Sequence, residues 1–126
     1  MVVEDDAIIG GLAAIHQHVR IGRRAMVGGM SGVEHDVVPY SLVMGERARL
    51  TGINVVGMKR AGFSRDEIQG LQVVYDTVFA DGNTLAERLS ELEQRFPPAS
   101  PAQDVLAFLR TESTRALCKP KAGYDG

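Results

Sequence analysis

Aliphatic residues recur along the first third of the chain at a spacing of six: Val3, Ile9, Ile15, Ile21, Val27 and Val33 hold one register without a slip. A helix calls for apolar residues three and four apart, and a half-buried strand of an open sheet calls for plain alternation. A period of six fits neither. It fits a triangular coil in which each face is one short strand, three faces of about six residues close a turn, and each aliphatic points to a shared axis. The hexads read VEDDAI, IGGLAA, IHQHVR, IGRRAM, VGGMSG and VEHDVV, with Gly, His or Glu after each aliphatic and a small or aliphatic residue at the fifth place. Small residues at the corners are expected to let the backbone bend. Stacked coils pair their strands with the coils above and below, so the expected fold is β plus α: the last coils of a parallel β-helix followed by something else.

The stack is short, ending near Pro39 to Met44, and no polar cap precedes Val3. Solenoids need several neighbours and a cap at an open end. The segment is therefore expected to be the C-terminal part of a longer protein, or to have its first rung covered by another chain.

The pattern changes after Phe63. Three hydroxyl residues are each followed three places on by an acid or amide: Ser64 with Glu67, Thr84 with Glu87, and Ser100 with Gln103, the last with Pro101 next to it. Such pairs are capping boxes, in which side chains satisfy orphan backbone N–H groups at a helix start. Apolar residues follow at helical spacing: Ile68, Leu71, Tyr75, Val78 and Phe79; then Leu85, Leu89 and Leu92; then Val105, Leu106 and Leu109. Asp81-Gly82 and Pro97-Pro98 separate them. The expected organisation is a β-helix over 1–46, a connecting segment over 47–63, a helical domain over 64–118 and a flexible tail over 119–126.

Composition narrows the possible functions. A formal net charge of −2 with 24% charged residues gives no strong field for nucleic acid or an anionic membrane. The single Cys118 makes no intrachain disulfide, and the apolar stretches are too short for a membrane span and lack a signal-peptide layout. A cytoplasmic location is expected.

The hexads, the run GGLAAIHQ, the segment SGVEHDVVPY and the stretch GINVVGMKRAGFS ahead of a helical tail together resemble one family closely. They are similar to the C-terminal part of the UDP-N-acetylglucosamine O-acyltransferases. The resemblance runs from about Val3 to Leu117. It implies a left-handed β-helix, a homotrimer with sites in the clefts between neighbours, and no cofactor. It also implies transfer of a 3-hydroxyacyl chain from acyl carrier protein to the sugar 3-hydroxyl of UDP-N-acetylglucosamine, the first step of lipid A synthesis.

Residue by residue, the resemblance places His16, Gln17, Asn54 and Arg60 at the sugar nucleotide. Ile8, Gly11, Met26 and Gly29 fall in the acyl or pantetheine groove, Gly29 as the floor that admits a longer chain. Val56 stands where the family often has an acid, and Ala61 where a second Arg often follows the first. The family's general-base histidine lies on a coil that precedes this region, so no catalytic residue is assigned here, and the chain alone is expected to be inactive. Arg20, Arg23 and Arg24 are candidates for a landing patch for the acidic carrier protein.

Two other readings stay open. One is a non-catalytic oligomeric β-helix module. The other is a histidine–metal enzyme of the hexapeptide-repeat class, using His16, His18 and His35; the preferred reading assigns no metal and leaves His18 and His35 as solvated coil-face residues. Quieter roles are available too: the three arginines as soluble surface, and Arg60 as a cap on the turn before Ser64.

Overall fold

A computed structural model describes residues 1–80, 84–111 and 117–120. The hexads form short strands: β1 (Val2–Val3), β2 (Ile8–Ile9), β3 (Ala14–Ile15), β4 (Arg20–Ile21), β5 (Met26–Val27) and β6 (Gly32–Val33). Parallel pairs β1–β4, β2–β5 and β3–β6 set Val3 against Ile21, Ile9 against Val27, and Ile15 against Val33. The inward aliphatics stack as three columns, and the fold is a left-handed β-helix. Ile21, Val27 and Val33 are fully buried, whereas Val3 and Ile9 of the first coil remain 43% and 38% exposed.

Beyond Val33 the period shortens. Val37 bridges to Ile21, and strand β7 (Ser41–Met44) pairs Val43 with Val27, so the third coil takes two residues fewer than the ones above. β8 (Arg49–Ile53) returns antiparallel to β7. The hairpin tip between them closes the third face, with Gly32 N donating to Gly45 O and Ala48 N donating to Gly32 O.

The corners are not turned by glycine. Left-handed backbone falls on Asp6, Leu12, His18, Arg24 and Met30, six residues apart, with φ between 53° and 66°. Each such residue costs about 1–2 kcal/mol. Backbone bonds between coils offset this: Arg24 N donates to Asp5 O and Met30 N to Gly11 O. The glycines serve close approach instead. A Cβ on Gly22 would meet Pro39 N at 2.4 Å, and one on Gly10 would meet Gly29 N at the same distance.

The connecting segment is structured, holding β8 and a short helix, α1 (Val55–Arg60). Three helices follow: α2 (Arg65–Val78), α3 (Leu85–Glu93) and α4 (Pro101–Arg110). Ser64 and Glu67 form the full capping box, and Thr84 accepts from Glu87 N. The third predicted box does not form. Ser100 Oγ donates back to Pro97 O, and Gln103 Nε2 donates to Glu93 O and Phe96 O, so both side chains close the preceding loop rather than the helix start. The Asp81-Gly82 break lies outside the described residues.

α2 packs on both α3 and α4. Leu71, Tyr75, Val78, Leu89, Leu92, Val105 and Leu106 are buried as their spacing predicts, joined by Val74 and Phe108, while Leu85 stays 40% exposed. Polar ties weld this bundle to the coils. Tyr75 Oη donates to Pro39 O at 2.6 Å, and Tyr40 Oη donates to Asp104 at 2.5 Å. Burial, then the bond to the Asp104 carboxylate, holds the Tyr40 hydroxyl well above the usual phenol range. Lys119, at the head of the predicted tail, accepts from Leu50 N through its carbonyl. No described helix is long and apolar enough to cross a membrane.

Candidate functional site: a cleft where the last coils meet the first short helix

Asn54 follows β8 and caps the start of α1. Its Oδ1 accepts Gly57 N at 3.2 Å, capping the helix, and its Nδ2 donates to Arg24 O at 3.1 Å, tying the helix start to a coil corner. The side chain is only 7% exposed. Gly57 permits the close fit, since a Cβ there would meet Asn54 Nδ2 at 2.4 Å. α1 stops after Arg60, where Ala61 N, Gly62 N and Phe63 N bond back to the last turn and Gly62 adopts φ of 92°. Backbone groups thus make this cap, and the Arg60 side chain, in no ion pair among the described residues, is left to face outward.

Between this helix and the coil corner lies a cleft of about 210 Å³, lined by Asp6, Ile8, Arg24, Asn54, Gly57, Arg60 and Ala61. It brings together three predicted residues: Asn54, Arg60 and Ile8. Met26 is the strand partner of Ile8 on the next coil, so the two share the outward row of one face. Gly11 and Gly29 stack at the following corner, where a Cβ on Gly29 would meet Gly11 O at 3.3 Å. The Ile8–Met26 row and the Gly11–Gly29 corner are therefore successive parts of one surface.

His16 and Gln17 lie elsewhere. They follow β3, are exposed, and occupy the next edge of the prism, with His16 in register with Glu34. None of the three histidines lines the Asn54–Arg60 cleft. Among the described residues no group of three His, Cys, Asp or Glu side chains is placed to hold a metal ion.

Arg20 and Arg23 line one groove and Arg24 lines the Asn54–Arg60 cleft, each facing a carboxylate. Arg20 pairs with Asp36 at 3.2 Å, donates to Phe108 O and stacks 4.0 Å over the Phe108 ring. Arg23 faces Asp104 at 3.8 Å, and Arg24 faces Asp6 at 3.3 Å. Sequence reasoning missed Asp6 and Arg24 as members of the cleft. Their separation by three hexads, which stacks them at one corner, was the available signal.

The family profile described as Udp N-acetylglucosamine O-acyltransferase, Domain 2, matches residues 36–118. The chain belongs to this family. Over its full length it is 40% identical to the acyl-[acyl-carrier-protein]–UDP-N-acetylglucosamine O-acyltransferase of Sinorhizobium medicae, of which it covers 47%. The crystal structure of the Arabidopsis UDP-N-acetylglucosamine acyltransferase matches 94% of this chain and 44% of its own, at 38% identity and a TM-score of 0.81. The Campylobacter jejuni UDP-N-acetylglucosamine acyltransferase matches 93% and 45%, at 31% identity and a TM-score of 0.81. The chain thus spans about half the length of the relatives it resembles.

Proposed function

We propose that this chain forms the nucleotide-binding wall of an acyltransfer site that moves a 3-hydroxyacyl chain from acyl carrier protein to the 3-hydroxyl of UDP-N-acetylglucosamine. The carrying observation is the cleft that gathers Ile8 with Asn54 and Arg60, the last two within the segment that matches this family's profile. A guanidinium grips phosphate through charge-assisted bonds, and Arg60 has no carboxylate competing for it among the described residues. Asn54, spent on the helix cap and the coil corner, orients that wall. The row of Ile8 and Met26 and the open corner at Gly11 and Gly29 offer an apolar track for the acyl and pantetheine groups.

In the transfer, the sugar hydroxyl oxygen attacks the thioester carbonyl, the C–S bond breaks, and the hydroxyl proton passes by way of a base to the departing thiolate. The cleft holds no histidine to serve as that base. Its role here is to bind and place the acceptor.

His16 and Gln17 sit on one edge of the prism and Asn54 and Arg60 on another. Joining them at one nucleotide requires a second copy, which supports a homotrimer with shared clefts. A cytoplasmic location suits both soluble substrates. Titration calorimetry with UDP-N-acetylglucosamine tests the assignment. Saturable binding weakened on the order of tenfold by Arg60→Gln is expected; binding indifferent to Arg60→Gln would remove the cleft from the site.

A further inference from the structure

The Asn54–Arg60 cleft has a second guanidinium with no assigned task. Arg24 stands at a left-handed corner, and its carbonyl accepts Asn54 Nδ2, so the residue that caps α1 also fixes the Arg24 backbone. Arg60 rides on that same helix. One amide therefore sets the spacing between the two arginines across the cleft. The Arg24 side chain is about one-third exposed and lies between the Asp6 carboxylate at 3.3 Å and the Phe63 ring at 5.8 Å. Its neighbours Arg20 and Arg23 are turned toward Asp36, Asp104 and α4, away from this cleft. Among the described residues lining the cleft, Asp6 is the one carboxylate set against two arginines.

One carboxylate against two guanidiniums leaves positive charge unanswered in the cleft. We propose that Arg24 is a second phosphate-binding residue, acting across the cleft from Arg60 on the diphosphate of a nucleoside diphosphate sugar, with Asp6 as the counter-ion that the ligand displaces. This rests on the reading of the cleft as a nucleotide site. The diphosphate replaces Asp6 as the partner of Arg24, exchanging a half-exposed carboxylate pair for charge-assisted bonds to phosphate oxygens. Ala61, next to Arg60, has no polar group to contribute, which leaves Arg24 as the second cation of the cleft.

The test is calorimetric titration of the assembled protein with UDP and with uridine, comparing Arg24→Gln, Asp6→Asn and Arg60→Gln. Loss of a charge-assisted phosphate contact weakens binding on the order of tenfold. Arg24→Gln is expected to weaken UDP by that factor and to leave uridine unchanged. Asp6→Asn breaks the same ion pair but keeps the guanidinium, so it is expected to bind UDP at least as tightly as the unsubstituted protein. A purely structural Arg24–Asp6 pair would make the two variants behave alike. The inference is overturned if Asp6→Asn loses UDP as Arg24→Gln does, or if Arg24→Gln changes UDP binding less than twofold while Arg60→Gln weakens it. If Arg60→Gln is also without effect, or UDP does not bind, the nucleotide reading itself fails and the inference falls with it.

Discussion

Removing the Asp36 carboxylate should do more harm than any other single polar deletion in the β-helix. The side chain is fully buried and accepts Arg20 N at 2.8 Å and Arg20 Nε at 3.2 Å. Its backbone pairs with the far end of the chain, where Cys118 N donates to Asp36 O at 2.7 Å. Asp36→Ala strips the acceptor from a backbone N–H, a loss of about 1–3 kcal/mol, and leaves a guanidinium unpaired, which in a buried site costs about 3–5 kcal/mol. The Arg20 side chain is 17% exposed and retains Phe108 O and the Phe108 ring, so the second figure belongs at its low end. Since one carboxylate serves both groups the losses overlap, and a net destabilisation of about 3 kcal/mol follows, or roughly 10 °C in Tm for a chain of this size. Asp36→Asn keeps an oxygen for Arg20 N and should lose about half as much. Urea denaturation followed by far-ultraviolet circular dichroism reads both. A loss below about 1 kcal/mol for Asp36→Ala, or equal losses for the two variants, would refute the reasoning.

Two further outcomes follow from the packing. Gly22→Ala forces a Cβ onto the Pro39 backbone, which only separation of two coils relieves, whereas Gly11→Ala meets nothing within 4 Å; thermal melts should show a fall of several degrees for the first and little change for the second. Burial pushes the Cys118 thiol up to about 11 from an ordinary value of 9.0. The unfolded chain therefore ionises first as pH rises, so the thiol's contribution is complete below pH 9 and lost between 9 and 11, by at most about 2–3 kcal/mol. Cys118→Ser should flatten that part of the stability profile, and an unchanged slope would contradict the assignment.

The coil core was legible because its period places every sixth aliphatic on one axis, and Ile21, Val27 and Val33 are buried as that requires. The shortened third coil was not. Val37 and Val38 are adjacent and equally apolar, so the pattern does not say which one takes the inward column. The corner conformation was hidden as well, because Leu12, Arg24 and Met30 carry none of the usual signals of left-handed backbone. Ser64 and Ser100 show the limit of capping motifs: the same spacing forms a box at one and not at the other, where the Pro97 carbonyl competes for the hydroxyl. At the site, resemblance picked out Asn54 and Arg60 from a contiguous motif. Asp6 and Arg24 join them only through the stacking of coils and a hydrogen bond spanning 30 residues, which local pattern does not register.

The most direct test of the account is turnover. The chain is incubated with 3-hydroxyacyl carrier protein and UDP-N-acetylglucosamine, and acylated sugar nucleotide is measured beside binding of the unacylated one. Saturable, Arg60-dependent binding with no appreciable acyl transfer is expected, because no histidine lines the proposed nucleotide cleft. Robust transfer by this chain alone would contradict it.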